Sequence, residues 1–430
     1  MKKYSLPQIN TLVLKFNLVL LVLILCCQTP SVMAQVTQSF IEELEVSDPV
    51  SIISNVPADL DCIVKGSLNT ENSLDRYTIS DGKGQSRLSI LKELKIATWD
   101  KNIIRQETTI TIDADEEITE AILTKLSINL KVNAQGEVVI DCNMNINSFS
   151  MKKRRWRNKV DCKIHFDDGS SYLVNHLEIE SYLIIPKYSS IGITSTRNCT
   201  LKVGELDGDL DLALNYAEVY GTTVNNLQAS LSSCYTVIFD KVDNAIISSS
   251  NSYVSIREAD SVSIGTASLH DASLLPHLHL RSSNSAQSSY HFVNVRELVL
   301  NDSVNDEINA NIVDRINVSN TCYTDVRIGK LKSSLDMSSR SSDLFIKLID
   351  ADFESISLQN SLSTVSLGLA QVSGFKLKID EEAYIEGLQL PSVISKRVDG
   401  WAVYNFGGKG GEITLSCDRC KLELDSDYLK

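Results

Sequence analysis

The chain has 430 residues, 43% of them hydrophobic and 22% charged, with only 7 Pro and 19 Gly. That composition excludes collagen-like, disordered and polytopic membrane classes, because apolar material is ample and no long apolar tract follows the first 35 residues. The formal charge is −14; Met1–Ala34 carries Lys2, Lys3 and Lys15 and no acid, so the remainder has 38 bases and 55 acids, or −17. An acidic balance of that size argues against nucleic acid or an anionic membrane as the main partner.

The first element is an address. Lys2 and Lys3 precede Leu18–Cys27, an unbroken apolar run of ten, and the small-residue stretch Val32-Met33-Ala34 stands before Gln35. This pattern predicts a cleaved signal peptide over residues 1–34 and an exported protein with no integral membrane segment after cleavage. The competing reading is an anchor, but ten residues rise only about 15 Å as a helix, roughly half a bilayer core. Cys26 and Cys27 raise a lipoprotein alternative, against which Ile24-Leu25 stand where a small residue is wanted.

Residues 35–200 are predicted to be a β-rich N-terminal region. Phe40–Val46, Thr108–Ile112, Ala121–Val132, Val138–Ile146 and Lys159–Phe166 have strand composition. Asp81-Gly82 and Asp168-Gly169 are turn signals. Asp113-Ala-Asp-Glu-Glu117 reads as a turn, and the basic run Met151–Lys159, with Trp156 inside it, as a hairpin loop.

Residues 201–372 carry a repeat of about eighteen residues. A small polar residue precedes an anchor, and apolar or small residues follow at anchor +1 and +3. The anchors are Tyr216, Tyr235, Tyr253, Asp271, Tyr290, Glu307, Tyr323, Asp343 and Thr364. Their +1/+3 positions include Ala217/Val219, Thr236/Ile238, Val254/Ile256, Ala272/Leu274 and His291/Val293. A second apolar pair falls between anchors, as at Ile246, Val262/Ile264, Leu278/Leu280, Leu298/Leu300 and Ile356/Leu358. Two short period-two strands per unit, too small to bury a face alone, must stack on their neighbours. The predicted fold is all-β: a parallel β-solenoid (β-helix) of about nine short coils, closed by a C-terminal cap over residues 373–430. A β-sandwich with evenly spaced strands is the alternative. Val254, Ile256, Ile308, Val326 and Ile346 are expected inside.

Phe40–Ile53, Asp61–Gly66 and Gly84–Ile90 resemble the opening of the bacterial head-GIN-domain auto-transporter adhesin family. Tyr182–Ile193, Gly208–Leu212 and the Ser-rich coils resemble the related β-helical adhesins. The resemblance touches most of the exported chain and carries no catalytic residues. It implies a β-helical fold and a periplasmic, surface-exposed or secreted bacterial protein.

Strand alternation turns the anchors outward if +1 and +3 face inward. Tyr216, Tyr235, Tyr253 and Tyr290 are therefore the candidate ligand-binding residues, an exposed tyrosine row suited to sugar rings or a partner strand; the competing reading is that cross-coil stacking merely stabilises the sheet. The expected partner is a polysaccharide or a cell-surface protein. No catalytic residue and no metal is assigned. Glu205, Asp207, Asp209 and Asp211 alternate along one strand face, where calcium competes with a solvated row. His277 and His279, with His270 and His291 a coil away, are a weaker zinc or copper constellation. Phe406–Gly411 lacks the ending of a phosphate loop, so no nucleotide and no cofactor is expected. Cys417-Asp-Arg-Cys420 has the spacing of half a zinc site or a redox pair, with a local disulfide or two inert thiols favoured. Cys142 and Cys162, which the basic hairpin could set side by side, are the first candidates for a bridge, and Cys234 and Cys322 are expected not to be joined. The functional expectation is an exported, non-enzymatic adhesin-like binding module. The alternatives are a carbohydrate-active β-helix enzyme and a structural cell-envelope spacer.

Overall fold

Strands follow one another with hardly an interruption in the computed structural model, which describes residues 35–46, 51–55, 61–65, 78–80, 85–87, 90–127, 129–134, 137–141, 144–153, 160–195, 199–265, 287–380, 382–386, 396–407 and 410–425. The chain is all-β apart from one α-helix among those residues, Glu116–Leu123, and its large sheet is mostly parallel.

The sheet is a ladder of parallel pairings with a nearly constant sequence offset. Ala217–Ser232, Thr236–Ser250, Tyr253–Gly265, Ser289–Asn301, Glu307–Cys322 and Asp325–Arg340 each pair with the next. Val219 lies beside Val237, Val237 beside Val254, Tyr290 beside Ile308 and Ile308 beside Val326. Asp343–Ile349, Ser355–Ser361 and Thr364–Gly368 continue the stack, which passes through Glu412–Asp418 and Cys420–Asp425 to Gly374–Asp380 and Ile385–Glu386. At the other end Cys199–Val203 pairs with Ile90–Trp99, which also lies alongside His176–Pro186. Segments far apart in sequence thus enter one ladder.

Inward side chains explain the period. Along Ala217–Ser232 the buried positions are Ala217, Val219, Gly221, Val224, Leu227, Ala229 and Leu231. Steps of two place residues on one face of a strand; the steps of three on either side of Val224 bend it so that both halves face one interior. The same bend position holds Val242, Val295, Val313, Leu331 and Ile349, all buried. Val254, Ile256, Ile308, Val326 and Ile346 are fully buried too, and one continuous core reaches from Leu94 to Leu422. Each such side chain contributes about 1.5–3 kcal/mol on burial. Gly221 is set by close approach, since a Cβ there would lie 2.1 Å from the ring of Phe239 on the next strand.

Each rung closes at a left-handed corner. Tyr216, Ser233, Asn251, Gln287, Asn305, Tyr323, Ser341, Leu362 and Arg419 all have φ between 50° and 58°, a conformation that costs a non-glycine residue about 1–2 kcal/mol. Backbone pairing through the corner offsets it: Tyr216 N–H donates to Ser232 O at 2.9 Å and Ser233 N–H to Ser250 O at 2.8 Å. The following residue is buried, and its N–H finds a side-chain oxygen on the adjacent rung. Cys234 N–H donates to Ser252 Oγ (3.1 Å), Ser288 N–H to Asp306 Oδ1 (2.8 Å) and Ser342 N–H to Ser363 Oγ (3.3 Å). The recurring small polar residues of the sequence are these acceptors.

Several expectations are corrected. Ala121–Val132 is not one strand: the helix occupies Glu116–Leu123, and only Asn129–Val132 is extended. Asp113–Glu117 is not simply a turn, because Asp115 stands at the N-cap position of that helix and Glu116 and Glu117 fill its first turn, where negative charge complements the helix dipole. The helix packs with the strands at residues 144–146, 164–166 and 174–179 in a second cluster that includes Ile110, Ile122, Ile164 and Phe166. Tyr253–Gly265 pairs directly with Ser289–Asn301, and the unit anchored on Asp271, with Ala272/Leu274 and Leu278/Leu280, lies outside the described residues. Two strands are shifted by one residue from the anchored register. Val237 and Phe239 point inward instead of Thr236 and Ile238, and Tyr290 and Phe292 instead of His291 and Val293. Ile246 is exposed. The basic hairpin has its two antiparallel strands, Ile146–Lys153 and Val160–Phe166, with its tip outside the described residues. Residues 1–34 and Asp81-Gly82 also lie outside them.

Candidate binding face

Three of the four candidate tyrosines are on the surface. Tyr216, Tyr235 and Tyr253 are exposed, and the rings of Tyr216 and Tyr235 meet at 6.3 Å with a 46° tilt. They do not form one column. Tyr216 is a left-handed corner, Tyr235 is an extra residue after buried Cys234, and Tyr253 opens its strand. Tyr290 is removed from the set, because it is fully buried, stacked on Phe292 at 6.3 Å. Its hydroxyl lies 2.6 Å from Ser249 Oγ, a fully buried partner that allows the phenol to leave water.

The ladder builds a longer face beside these corners. Tyr182 is in register with Lys95, Lys95 with Lys202, Lys202 with Tyr220, and Tyr220 with Ile238. Tyr182, Tyr220 and Ile238 are exposed by 39%, 40% and 37%, unusual values for three large apolar side chains sharing one outward row. Three rungs separate the two tyrosines, about 14 Å at the spacing of sheet strands. Two residues earlier on each strand runs a second outward row containing Glu180, Glu93, Thr200 and Glu218. Glu93, 7% exposed, forms ion pairs with Lys202 Nζ at 2.7 Å and Lys95 Nζ at 3.4 Å, drawing both ammonium groups toward it. Tyr220 Oη donates to Glu218 Oε2 at 3.4 Å. A groove of about 470 Å³ runs along Lys95, Lys202, Gly204, Tyr220 and Ile238. Flat apolar rings, fixed donors and shallow relief suit an extended ligand with both hydroxyl groups and C–H faces. Lys95 and Tyr182 lie more than a hundred residues and thirty residues, respectively, from Tyr220 in sequence, outside the repeat, so the row could not be read from the repeat's columns.

The acidic row does not form a cation site. The register shifts between Leu206 and Asp209, and the carboxylates take different partners. Asp207 pairs with Lys187 at 3.1 Å, and Asp209 accepts Asn226 Nδ2 at 2.6 Å. Asp211 is buried, not solvated, and burial, with Asp209 nearby, pushes its carboxyl up to about 6. Among the described residues no three His, Cys, Asp or Glu side chains converge as metal ligands. His270, His277, His279 and Cys142 lie outside the described residues. Cys234, Cys322, Cys417 and Cys420 are free thiols. Residues 401–407 and 412–418 on either side of Phe406–Gly411 are strands. Among the described residues no helix is long and apolar enough to cross a membrane.

No protein-family model matches the chain, and no curated protein does. Among solved structures, it is similar to a putative cell adhesion protein from Clostridium sporogenes over 91% of this chain and 100% of that one, at 9% identity and a TM-score of 0.17. It is also similar to a putative adhesin from Parabacteroides merdae over 77% of this chain and 96% of that one, at 11% identity and a TM-score of 0.27.

Proposed function

We propose that the chain is an exported, non-enzymatic β-solenoid that binds a glycan on the face bearing Tyr182, Lys95, Lys202 and Tyr220. The constant offset of the parallel ladder and its single interior support the solenoid. The outward row of two tyrosines and Ile238, with two lysines paired to Glu93 on the strands between the tyrosines, supports the ligand class. Sugar rings stack their C–H faces on exposed phenols while lysines and hydroxyls bind their oxygens. A flat sheet face lets successive residues of a polysaccharide occupy successive rungs. The leader-like sequence of residues 1–34 supports a setting at the envelope or outside the cell.

A glycan array probed with residues 35–430, followed by titration of the best glycan, tests the reading. Tyr182→Ala with Tyr220→Ala removes both rings from exposed positions and leaves the fold intact. At about 1 kcal/mol per aromatic contact, affinity falls roughly 10–30-fold. A folded double variant that binds like the parent excludes this face. Release of shortened sugars from the bound glycan replaces the binding protein with a carbohydrate-active enzyme.

A further inference from the structure

Six of the left-handed corners set two buried side chains three residues apart, one before and one after the left-handed residue, where polar or thiol groups stand. The pairs are Ser249/Ser252, Ser303/Asp306, Thr321/Thr324, Ser339/Ser342, Asn360/Ser363 and Cys417/Cys420, and all twelve are buried. Within one corner the contact is direct, with Ser303 Oγ donating to Asp306 Oδ2 at 2.5 Å. The cysteines sit at the same two positions around Arg419, whose φ is 58°. Cys417 is in register with Asn360, and Cys420 Sγ lies 3.4 Å from the Asn360 carbonyl. Two positions that elsewhere carry hydrogen-bonding oxygens here carry two thiols in contact with each other.

The geometry points to Cys417 and Cys420 as a disulfide-forming pair that staples the corner between Glu412–Asp418 and Cys420–Asp425. The oxidant is a small disulfide of the glutathione class. The Cys420 thiolate attacks one of its sulfurs, forming a mixed disulfide and releasing one thiolate. Cys417 gives its proton to that thiolate, attacks Cys420 Sγ and expels the second. Two S–H bonds are lost, one S–S bond forms, and one disulfide is reduced to two thiols. The interaction of the two thiols, with burial, holds the Cys417 thiol up and draws Cys420 down, which favours Cys420 as the first to attack. Because both sulfurs are buried, exchange proceeds when this rung opens or before it closes during folding. The inference does not depend on the glycan reading.

The full chain, purified under reductant, is incubated with excess oxidised glutathione, quenched by alkylation, unfolded and digested without reduction. Cleavage after Arg419 separates the cysteines, so the staple is read as a crosslinked peptide pair two hydrogens lighter than its dithiol parts. The expected result is that pair in most molecules, and a Cys420–glutathione adduct in Cys417→Ser, where the second step is blocked. Alkylation of both thiols in the folded parent after prolonged oxidation overturns the inference, as does pairing of either one with Cys234 or Cys322. An unoxidised parent denatured and refolded in the same buffer supplies the control for access. If that sample too yields only alkylated thiols, the pair is inert.

Discussion

Tyr290 and Asp211 show how a single side chain decides its side of the sheet. The Ser-Ser-Tyr-His-Phe stretch around Tyr290 offers two alternating registers, one burying His291 and Val293, the other Tyr290 and Phe292. The second removes more apolar area from water, and Ser249 satisfies the one polar atom that it buries. Tyr290→Phe is expected to lower stability by about 1 kcal/mol in a denaturant titration, through the Ser249 hydroxyl left behind, and to leave glycan binding unchanged. Asp211 illustrates the opposite sign. Its carboxyl has a folded value near 6 against 3.8 for the free group, so the folded state holds the extra proton between those values. Stability from this group is therefore greatest below pH 4 and is lost as pH rises through about 6. Asp211→Asn is expected to stabilise the protein by on the order of 1–3 kcal/mol at pH 8, with the advantage shrinking to nothing below pH 4. Melting curves of both proteins across that range check it; an equal difference at every pH contradicts the assignment.

At the scale of the rung, what was legible in the sequence was the period, the inward apolar pairs of most strands and the small polar residue before each anchor. What was not legible was register wherever a rung gains or loses a residue. Tyr235 is such a residue: its rung has both Cys234 and Tyr235 where the next has only Ser252 before Tyr253, so a pattern anchored on tyrosines turns the strand over. The candidate site was half legible. Tyr216, Tyr235 and Tyr253 are exposed as expected, whereas the Tyr182–Lys95–Lys202–Tyr220 row is assembled from strands whose adjacency no local pattern encodes. Val326, at the centre of the inward column between Ile308 and Leu344, is the sharpest probe of the rung. Val326→Asp buries an unpaired charge and is expected to cost about 3–5 kcal/mol, or to prevent folding; a melt like that of the parent contradicts the inward register.

For the whole molecule, the ladder makes function a matter of alignment between distant segments. His176–Pro186 lies beside Ile90–Trp99, which lies beside Cys199–Val203 and through it beside the repeat, so the proposed binding face exists only when that order of strands is correct. The ion pairs that cross rungs, such as Arg257 with Asp240 and Lys332 with Asp314, lie on exposed positions and add little to stability. The order is held by the continuous core and by the backbone pairing beneath it.

Engineered cysteine crosslinking tests that order most directly. Lys202 and Tyr220 are in register on adjacent strands, about 4.8 Å apart, within reach of a disulfide, whereas Lys202 and Ile238 are two rungs apart, about 10 Å, beyond it. Oxidation of Lys202→Cys with Tyr220→Cys, read by peptide mapping against the native cysteines, is expected to give the intramolecular crosslink in folded protein. Lys202→Cys with Ile238→Cys is expected to give none. The reverse pattern, or no crosslink in either folded variant, contradicts the ladder and with it the proposed face.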